Sequence, residues 1–275
     1  MKPVPVLAVC FSLLLTAQAA DRGGDYTLQD GTKCGVAGTA KSDSGKDLNR
    51  HKNRAAPPTE DQMDAEVSLT AMLAPGNDLT RFDQEKGATI RGFVVDVKPG
   101  GKAETCNCGA KDPVDMDTHI ELGIAEGVPG RQRVIVEVTP RLRKQMKDQG
   151  ENWSTTALGG KIKGKWVEVT GWLLFDTMHV DGAENTNPGG DMNWRATCWE
   201  IHPITSIKVL TGPPPGLAEL KPEALTALYK AQAEHMANDP KAKAAVEKRN
   251  KAILAKFDKT ELEEKEDQDK EHNKP

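Results

Sequence analysis

The chain has 275 residues, and its 37 Lys and Arg against 41 Asp and Glu give a net charge of −4 at neutral pH. This near balance excludes a strongly basic protein that coats nucleic acid, although a local basic groove stays open. The length exceeds a single domain of about 100–150 residues and the apolar residues are unevenly distributed, so we expect one folded domain with extensions.

Residues 1–19 have the composition of a secretory signal peptide. Lys2 supplies a positive charge, residues 4–16 form an apolar run, and Ala17 and Ala19 are small residues of the kind that a signal peptidase reads. The run is shorter than the about 20 residues that span a bilayer. We therefore expect cleavage near Ala20, a secreted or periplasmic protein, and no transmembrane anchor.

Four cysteines remain after that cleavage: Cys34, Cys106, Cys108 and Cys198. Disulfides persist in oxidising compartments, so at least one bond is expected. A bond between Cys106 and Cys108 would close a very small, strained ring. We therefore predict Cys34 bonded to Cys106 or Cys108, with Cys198 as the least accessible sulfur. A Cys-x-Cys metal clamp is the alternative.

Residues 20–86 are predicted to form an N-terminal arm with a short helix. Residues 20–60 are rich in Gly, Asp, Lys and Ser, which is typical of extended, solvated chain. The basic cluster at residues 48–54 is interpreted as part of this solvated segment. Its alternative interpretation is a contact with an anion or a nucleic-acid backbone. Thr59 is a possible cap, and apolar residues at helical spacing predict a helix over residues 59–73.

Residues 87–210 have the pattern of a β domain. Alternating and β-branched runs predict five strands, with a helix over residues 141–148 between the third and the fourth. The strands are predicted over residues 88–97, 117–122, 133–139, 165–175 and 194–202. Gly171 is expected to mark a bend or bulge, and Pro203 to end the last strand. The order predicts a mainly β fold with α extensions, built on a five-stranded OB-like Greek-key barrel (β-β-β-α-β-β).

The segments GATIRGFVVDV, DTHIEL, VIVEVTPR, VEVTGWLLFD and RATCWEIHP carry a resemblance. With the histidine between the last two, they resemble a family of uncharacterised secreted bacterial proteins with an OB-fold-like domain. The similarity covers residues 30–210. It implies this architecture and does not imply a reaction.

The region after the barrel is predicted to be helical and separate from it. Residues 211–216 contain three consecutive prolines and predict a linker. A helical extension over residues 217–259 follows, with helices over residues 222–236 and 241–259. Residues 260–275 are so charged that a disordered tail is predicted. We expect the barrel to fold without this region, whose helices are a candidate surface for a protein partner.

The candidate site residues lie on the predicted strands. Asp117 and His119 share one face, because alternate residues of a strand project to the same side. Imidazole nitrogen and carboxylate oxygen suit a divalent metal such as zinc or manganese. The candidate binding or metal residues are Asp117, His119, Glu137, Asp176, His179, Glu200 and His202. No catalytic residue is assigned.

The function predicted first is a secreted or periplasmic binding module, and a metal-dependent hydrolase and a structural envelope protein are its alternatives. The binding module would use the polar groove of an OB-like barrel for a small ligand, an oligosaccharide or other glycan, a peptide or a single-stranded nucleic acid. A metal-dependent hydrolase would hold an ion on the histidines and use Glu137 or Glu200 for proton transfer. A structural envelope protein would need the same polar residues only for half-buried strands, with Glu137 or Glu200 paired to Arg91, Arg141 or Arg195.

Trp153, Trp166, Trp172, Trp194 and Trp199 could serve a binding module as stacking platforms. We expect them instead in the core, because aromatic residues carry much of the burial of a small barrel.

Overall fold

The computed structural model describes residues 24–102 and 104–272. The predicted signal peptide lies outside the described residues. Within them, no helix combines the length and the apolar character needed to cross a membrane.

The described chain contains seven strands and seven α-helices, joined by loops and short 3-10 turns. The strands are β1 (Tyr26–Thr27), β2 (Lys33–Cys34), β3 (Gly87–Pro99), β4 (Thr118–Gly123), β5 (Val134–Val138), β6 (Trp166–Phe175) and β7 (Trp199–Val209). The helices are α1 (Asp43–Lys52), α2 (Leu69–Leu73), α3 (Pro140–Asp148), α4 (Thr155–Ile162), α5 (Pro222–Asn238), α6 (Pro240–Leu254) and α7 (Lys259–His272).

Five strands form a closed barrel in the order β3-β4-β5-β7-β6, with β6 pairing back to β3. All pairs are antiparallel except β5 and β7, which run parallel. Helices α3 and α4 lie in the chain between β5 and β6, so the predicted mainly β barrel with α extensions is confirmed. The apolar residues that alternate along the strands, such as Ile120, Leu122 and Val136, fill its core and have no exposed surface.

The last barrel strand differs from the prediction at both ends. It begins at Trp199 and continues through Pro203 to Val209, so the expected stop at Pro203 is wrong. Proline fits there because the register shifts around Gly171, where Ile204 and then Ile201 are the successive partners of β6. A Cβ on Gly171 would lie 2.2 Å from the Pro203 carbonyl oxygen. The predicted bulge at Gly171 is thereby confirmed.

The N-terminal region is more ordered than its composition predicts. Helix α1 begins after Ser42, whose hydroxyl accepts a hydrogen bond from Gly45 N at 2.8 Å and satisfies an otherwise unpaired helix donor. Its basic end is not solvated, because Lys52 and Arg54 are buried. The extended arm predicted here is therefore replaced by a helix packed on the barrel.

The helix predicted over residues 59–73 is divided. Thr59 precedes a 3-10 turn, Glu60–Gln62, and helix α2 starts only after Ser68, whose side chain accepts from Ala71 N. Thr59 and Ser68 each begin a separate helical turn, because their side chains can accept hydrogen bonds from the first free N–H groups of that turn. These local caps interrupt the continuous helix that the apolar spacing predicts.

The C-terminal helices pack on the barrel, so the expected separation of this region from it is wrong, while its dispensability for folding stays a prediction. Leu225 and Tyr229 of α5 belong to the same buried cluster as the barrel strands, and Phe257 packs with Leu48 and Leu174. Residues 260–272, predicted to be disordered, belong to helix α7. The three prolines predict a linker after which the chain no longer contacts the barrel, whereas residues beyond them pack on it again.

Cysteine pairing agrees with the sequence. Cys34 bonds to Cys108, and Cys106 and Cys198 are buried free thiols. Four of the tryptophans, Trp153, Trp172, Trp194 and Trp199, are buried and Trp166 is partly buried. None of them is an open stacking platform: Trp153 and Trp199 belong to the core cluster of the barrel, whereas Trp194 packs against His179 and His272.

Candidate functional site

The outer face of three neighbouring strands carries a continuous row of ionisable side chains. His119 of β4 lies opposite Glu137 of β5 in the antiparallel register. On the other side of β5, Val136 is paired with Ile201 of β7, which places Glu137 beside Glu200 and His202. Because alternate residues of these strands fill the barrel core, these polar residues must project outward.

This outer face is buried, since other parts of the chain cover it. The cover consists of the end of α1 with Lys52, the loop that carries Glu104, the segment between β6 and β7, and helix α7. They enclose a cavity of about 20 Å³. A cavity of that size holds about one water molecule. In this conformation the polar face has no room for a glycan or a peptide.

His202 is the most completely buried of the candidate histidines, with 0% of its surface exposed. Its Nδ1 lies 3.2 Å from Glu200 Oε2, and its Nε2 lies 3.7 Å from Asp117 Oδ2. Neither His202 Nε2 nor Asp117 Oδ1 has a hydrogen-bond partner among the described residues. Asp117, Glu137 and His202 each offer a donor atom, and these atoms lie within 4.8 Å of one another. Carboxylate contact to one nitrogen leaves the other nitrogen for a metal, the common arrangement of metal-binding histidines.

His179 belongs to a second pair at the end of β6. Its Nδ1 lies 2.5 Å from Asp176 Oδ2, and its Nε2 has no hydrogen-bond partner in the described chain. Asp176 is fixed in turn by Met178 N at 3.1 Å and by Arg195 Nη1 at 3.0 Å. His179 lines the cavity, so the pair presents an oriented imidazole to it.

His119 lies at the edge of the cavity nearest to helix α7. Its Nδ1 lies 3.5 Å from Glu137 Oε1, and its ring centroid is 4.8 Å from that of His272. The nearby Glu121 is already paired with Arg133 at 2.5 Å and with Lys98 at 3.0 Å. Glu121 is therefore a weaker metal donor than Glu137.

Arg195 is the main cation of the site and is 1% exposed. Its guanidinium bridges Asp176 at 3.0 Å and Glu200 at 2.7 Å, which ties the His179 pair to the His202 pair. The suspected pairing of Glu200 with Arg195 is thus confirmed. Arg91 instead pairs with Glu168, and Arg141 donates to Asn53 and Cys34.

The buried charges of the site do not balance. Five buried carboxylates meet two permanent buried cations; these groups are Glu104, Asp117, Glu137, Asp176 and Glu200 against Lys52 and Arg195. Buried charges without partners are costly, and three responses reduce the imbalance: burial raises the pKa of Glu104 and of Asp117 and so favours their neutral forms, the imidazoles can carry a proton, and a bound cation would supply positive charge.

The pKa shifts of the site follow from this imbalance. Burial raises the pKa of Asp117, and the charge of Glu137 adds to the rise. Burial also acts against ionised Glu137, but the imidazoles of His202 and His119 outweigh it and lower the pKa of Glu137 to about 2. The pKa of His202 is raised, because the surrounding carboxylates outweigh the effect of burial. The anions of the site therefore favour a positive charge near His202.

The structure brings all seven predicted residues into one network but not around one ion. Among the described residues, His119 belongs to one group of neighbouring metal-type donors and His202 to another. His179 belongs to no such group in the described chain. Glu137 links His119 to His202, and Arg195 links His179 to His202. A single zinc ion shared by the three imidazoles is therefore not what this geometry offers.

Sequence reasoning missed Lys52, Glu104 and Cys106 as site residues. They reach the site from α1 and from the loop between β3 and β4. The sequence signal for Lys52 was the basic cluster at residues 48–54. A buried lysine needs an acidic partner, so its burial could be inferred only together with the carboxylates of the site.

The chain matches neither a protein-family model nor a curated protein.

Proposed function

We propose that the protein is a metal-dependent hydrolase in which Asp117, Glu137 and His202 hold a divalent cation. The observation that carries the proposal is the buried imidazole of His202. Its Nδ1 is fixed by Glu200 while its Nε2 faces Asp117 without a hydrogen bond. A buried nitrogen without a partner is costly in a folded protein, and a metal ion satisfies it.

The distances between the donor atoms support a metal. His202 Nε2 and Asp117 Oδ2 are 3.7 Å apart, Glu137 Oε2 lies 4.0 Å from His202 Nδ1, and the three residues each offer one donor atom within 4.8 Å of the other two. Two ligands at about 2.1 Å from one zinc ion lie between about 3 and 4 Å from each other. A divalent ion would also offset the excess of buried carboxylates.

The neighbouring groups support hydrolysis. A bound divalent cation supplies an activated water and polarises a substrate oxygen. His179 and the proposed ligand Glu137 both line the cavity of about 20 Å³. His179 Nδ1 is held by Asp176 and its Nε2 has no hydrogen-bond partner in the described chain, which is the arrangement of an oriented general base. Arg195 holds Asp176 and Glu200 in position, so one cation orients both imidazoles.

The open-groove binding hypothesis has less support. Its groove would run over the outer face of β4 and β5, and in the described structure that face is covered by α1 and α7, leaving a cavity of about 20 Å³. An oligosaccharide or a single-stranded nucleic acid would require both elements to move.

We also place the protein outside the cytoplasm. The Cys34–Cys108 disulfide supports this location, since disulfides persist in oxidising compartments. The signal-peptide pattern of residues 1–19 supports it as well.

Metal binding tests the proposal directly. Protein purified without a His tag is stripped with a chelator and titrated with Zn²⁺ and Mn²⁺ in a calorimeter. We expect wild type to bind, and His202→Ala to lose at least tenfold in affinity, the size of effect that loss of a single metal-site partner produces. His235→Ala is the matched control, because His235 is exposed on α5. Equal binding by wild type and His202→Ala would overturn the assignment.

Hydrolysis is followed with the metal-loaded protein on p-nitrophenyl acetate and bis(p-nitrophenyl) phosphate. We expect His179→Asn to keep the metal and to lose about 10²–10⁴-fold in rate, the usual contribution of a general base. A variant with unchanged rate would remove His179 from the mechanism. Absence of metal-stimulated hydrolysis with both probes would reject the hydrolase proposal for these ester classes.

A further inference from the structure

Cys106 is a free thiol two residues from a disulfide. It is 1% exposed, and its neighbour Cys108 takes the bond to Cys34. Both lie at the 3-10 turn Thr105–Asn107, which ends at Cys108 in a left-handed conformation with φ of 55°. The turn sends the two sulfurs in different directions, so that Cys108 reaches Cys34 and Cys106 reaches the barrel.

The sulfur of Cys106 meets two carboxylates. Cys106 Sγ lies 3.3 Å from Glu104 Oε2 and 3.7 Å from Asp117 Oδ2. The three residues offer donor atoms within 4.8 Å of one another, and all three are buried. Asp117 is also the carboxylate that faces His202, so two groups of metal-type donors share one residue.

Glu104 is held in place for this contact. Its Oε1 accepts hydrogen bonds from Gly101 N and from Gln268 Nε2, both at 2.9 Å. Its Oε2 accepts from the Cys106 thiol at 3.3 Å and from Asn107 Nδ2 at 3.4 Å. Asp117 Oδ1 has no hydrogen-bond partner in the described chain although the residue is 1% exposed. The donor set is therefore preorganised, and it includes a buried polar atom without a partner.

We propose that Glu104, Cys106 and Asp117 bind a second divalent cation, so that the Asp117 carboxylate bridges two ions. The inference rests on the proposed function, because the first ion is the one held by Asp117, Glu137 and His202. Binding replaces the thiol proton by the metal: the S–H bond breaks, the sulfur–metal bond forms with the same electron pair, and one proton is released to solvent. A mixed thiolate and carboxylate set suits zinc or cobalt better than magnesium or calcium.

A bridged pair also fits the hydrolytic proposal. Two-metal sites in hydrolases hold their ions about 3.5–4 Å apart and stabilise both the attacking and the leaving oxygen. His202 Nε2 and Cys106 Sγ belong to different donor groups, and each lies 3.7 Å from the same oxygen, Asp117 Oδ2. Asp117, Glu137 and His202 would then form the position with imidazole and carboxylate ligands. Glu104, Cys106 and Asp117 would form the position with a thiolate ligand.

Cobalt separates the two positions, because a thiolate bound to Co²⁺ gives a strong charge-transfer band in the near-ultraviolet. Metal-free, tag-free protein is titrated with Co²⁺ while absorbance and bound metal are measured. We expect two equivalents and the thiolate band for wild type. Cys106→Ser is expected to bind one equivalent without the band, and His202→Ala one equivalent with it.

Cys198→Ser is the matched control, because Cys198 is also a buried free thiol but its sulfur contacts Thr186 and the His179 carbonyl. It should keep both equivalents and the band. One equivalent without a band in wild type would overturn the second site and leave the proposed function standing. No bound metal would reject both. A band that survives in Cys106→Ser would assign the thiolate elsewhere, and if Cys106→Ser does not fold, the wild-type spectrum decides.

Discussion

Replacement of Tyr229 tests whether the C-terminal helices belong to the barrel fold. Tyr229 of α5 is 6% exposed, lies in the core cluster of the barrel, and donates a hydrogen bond from its hydroxyl to the Leu73 carbonyl at 2.6 Å. Replacing a buried aromatic residue by alanine costs about 3–5 kcal/mol through lost burial and the cavity left behind. Tyr229→Phe keeps the ring and removes the hydrogen bond, which costs about 1–3 kcal/mol because a buried carbonyl loses its partner.

Thermal unfolding followed by tryptophan fluorescence measures the effect, because the buried tryptophans report mainly on the barrel. In a protein of this size each kcal/mol lowers the Tm by about 2–4 °C, so Tyr229→Ala is expected to fall by roughly 6–20 °C and Tyr229→Phe by less. Leu228→Ala is the control. Leu228 is next to Tyr229 in the sequence, but its side chain is 53% exposed, so its truncation should change the Tm little. A barrel transition at the wild-type temperature in Tyr229→Ala would refute the packing argument.

Two further predictions concern the attachments of the barrel. Loss of the Cys34–Cys108 bond, whose partners are 74 residues apart, should lower the free energy of unfolding by about 4 kcal/mol in the chain-entropy model; a Cys34→Ser, Cys108→Ser double variant with an unchanged urea midpoint would contradict it. Glu261 has a pKa lowered from 4.5, since hydrogen bonds from Ser42, Asp258 and Lys41 outweigh burial. Its contribution to docking of α7 should be complete above pH 4.5 and decline as the pH falls through the lower folded value. The protection factors of the α7 amides, which correct the exchange rates for the pH dependence of intrinsic exchange, should therefore fall at low pH in wild type and be less pH-dependent in Glu261→Gln.

The barrel was predictable because its signals are local. Alternation in β4 and β5 places Ile120, Leu122 and Val136 inside and His119 and Glu137 outside, and the structure keeps these faces. Strand limits were less accurate, and the last strand was placed too early. A proline stops a ladder only where its missing N–H is needed, and the register shift beside Gly171 makes Pro203 tolerable.

The site was only partly predictable. The residues on strands were found because their faces follow from alternation, whereas Lys52, Glu104 and Cys106 come from loops and from a helix whose positions depend on tertiary packing. The grouping of the histidines also depends on register. His119 faces Glu137 while His202 faces Asp117 and Glu200, and no local pattern determines these pairings.

Helix α7 shows why composition failed at the C-terminus. A highly charged segment is predicted to be disordered because it cannot bury enough apolar surface. Here the attachment is polar: Glu261 binds the N-terminus of α1, Gln268 binds Glu104, and Asp269 accepts from Trp194 Nε1 at 2.9 Å. His272 stacks on Trp194 with ring centroids 3.8 Å apart.

Under the proposed hydrolase function, the polar attachment of α7 determines how a substrate would reach the closed cavity. Glu261, Glu264, Gln268 and His272 follow one another at helical spacing, so a single face of α7 covers the site. Hydrogen bonds to charged groups contribute about 1.5–3 kcal/mol net and neutral ones about 0.5–1.5 kcal/mol. Because these contacts are polar, we expect displacement of α7 to expose less apolar surface than loss of a barrel strand. Gln268 and His272 line the cavity, and removing them would open it toward Glu104 and His119. The same helix that completes the metal-type donor environment is therefore the element whose displacement would admit a substrate, without any change in the barrel strands that position Asp117, Glu137 and His202.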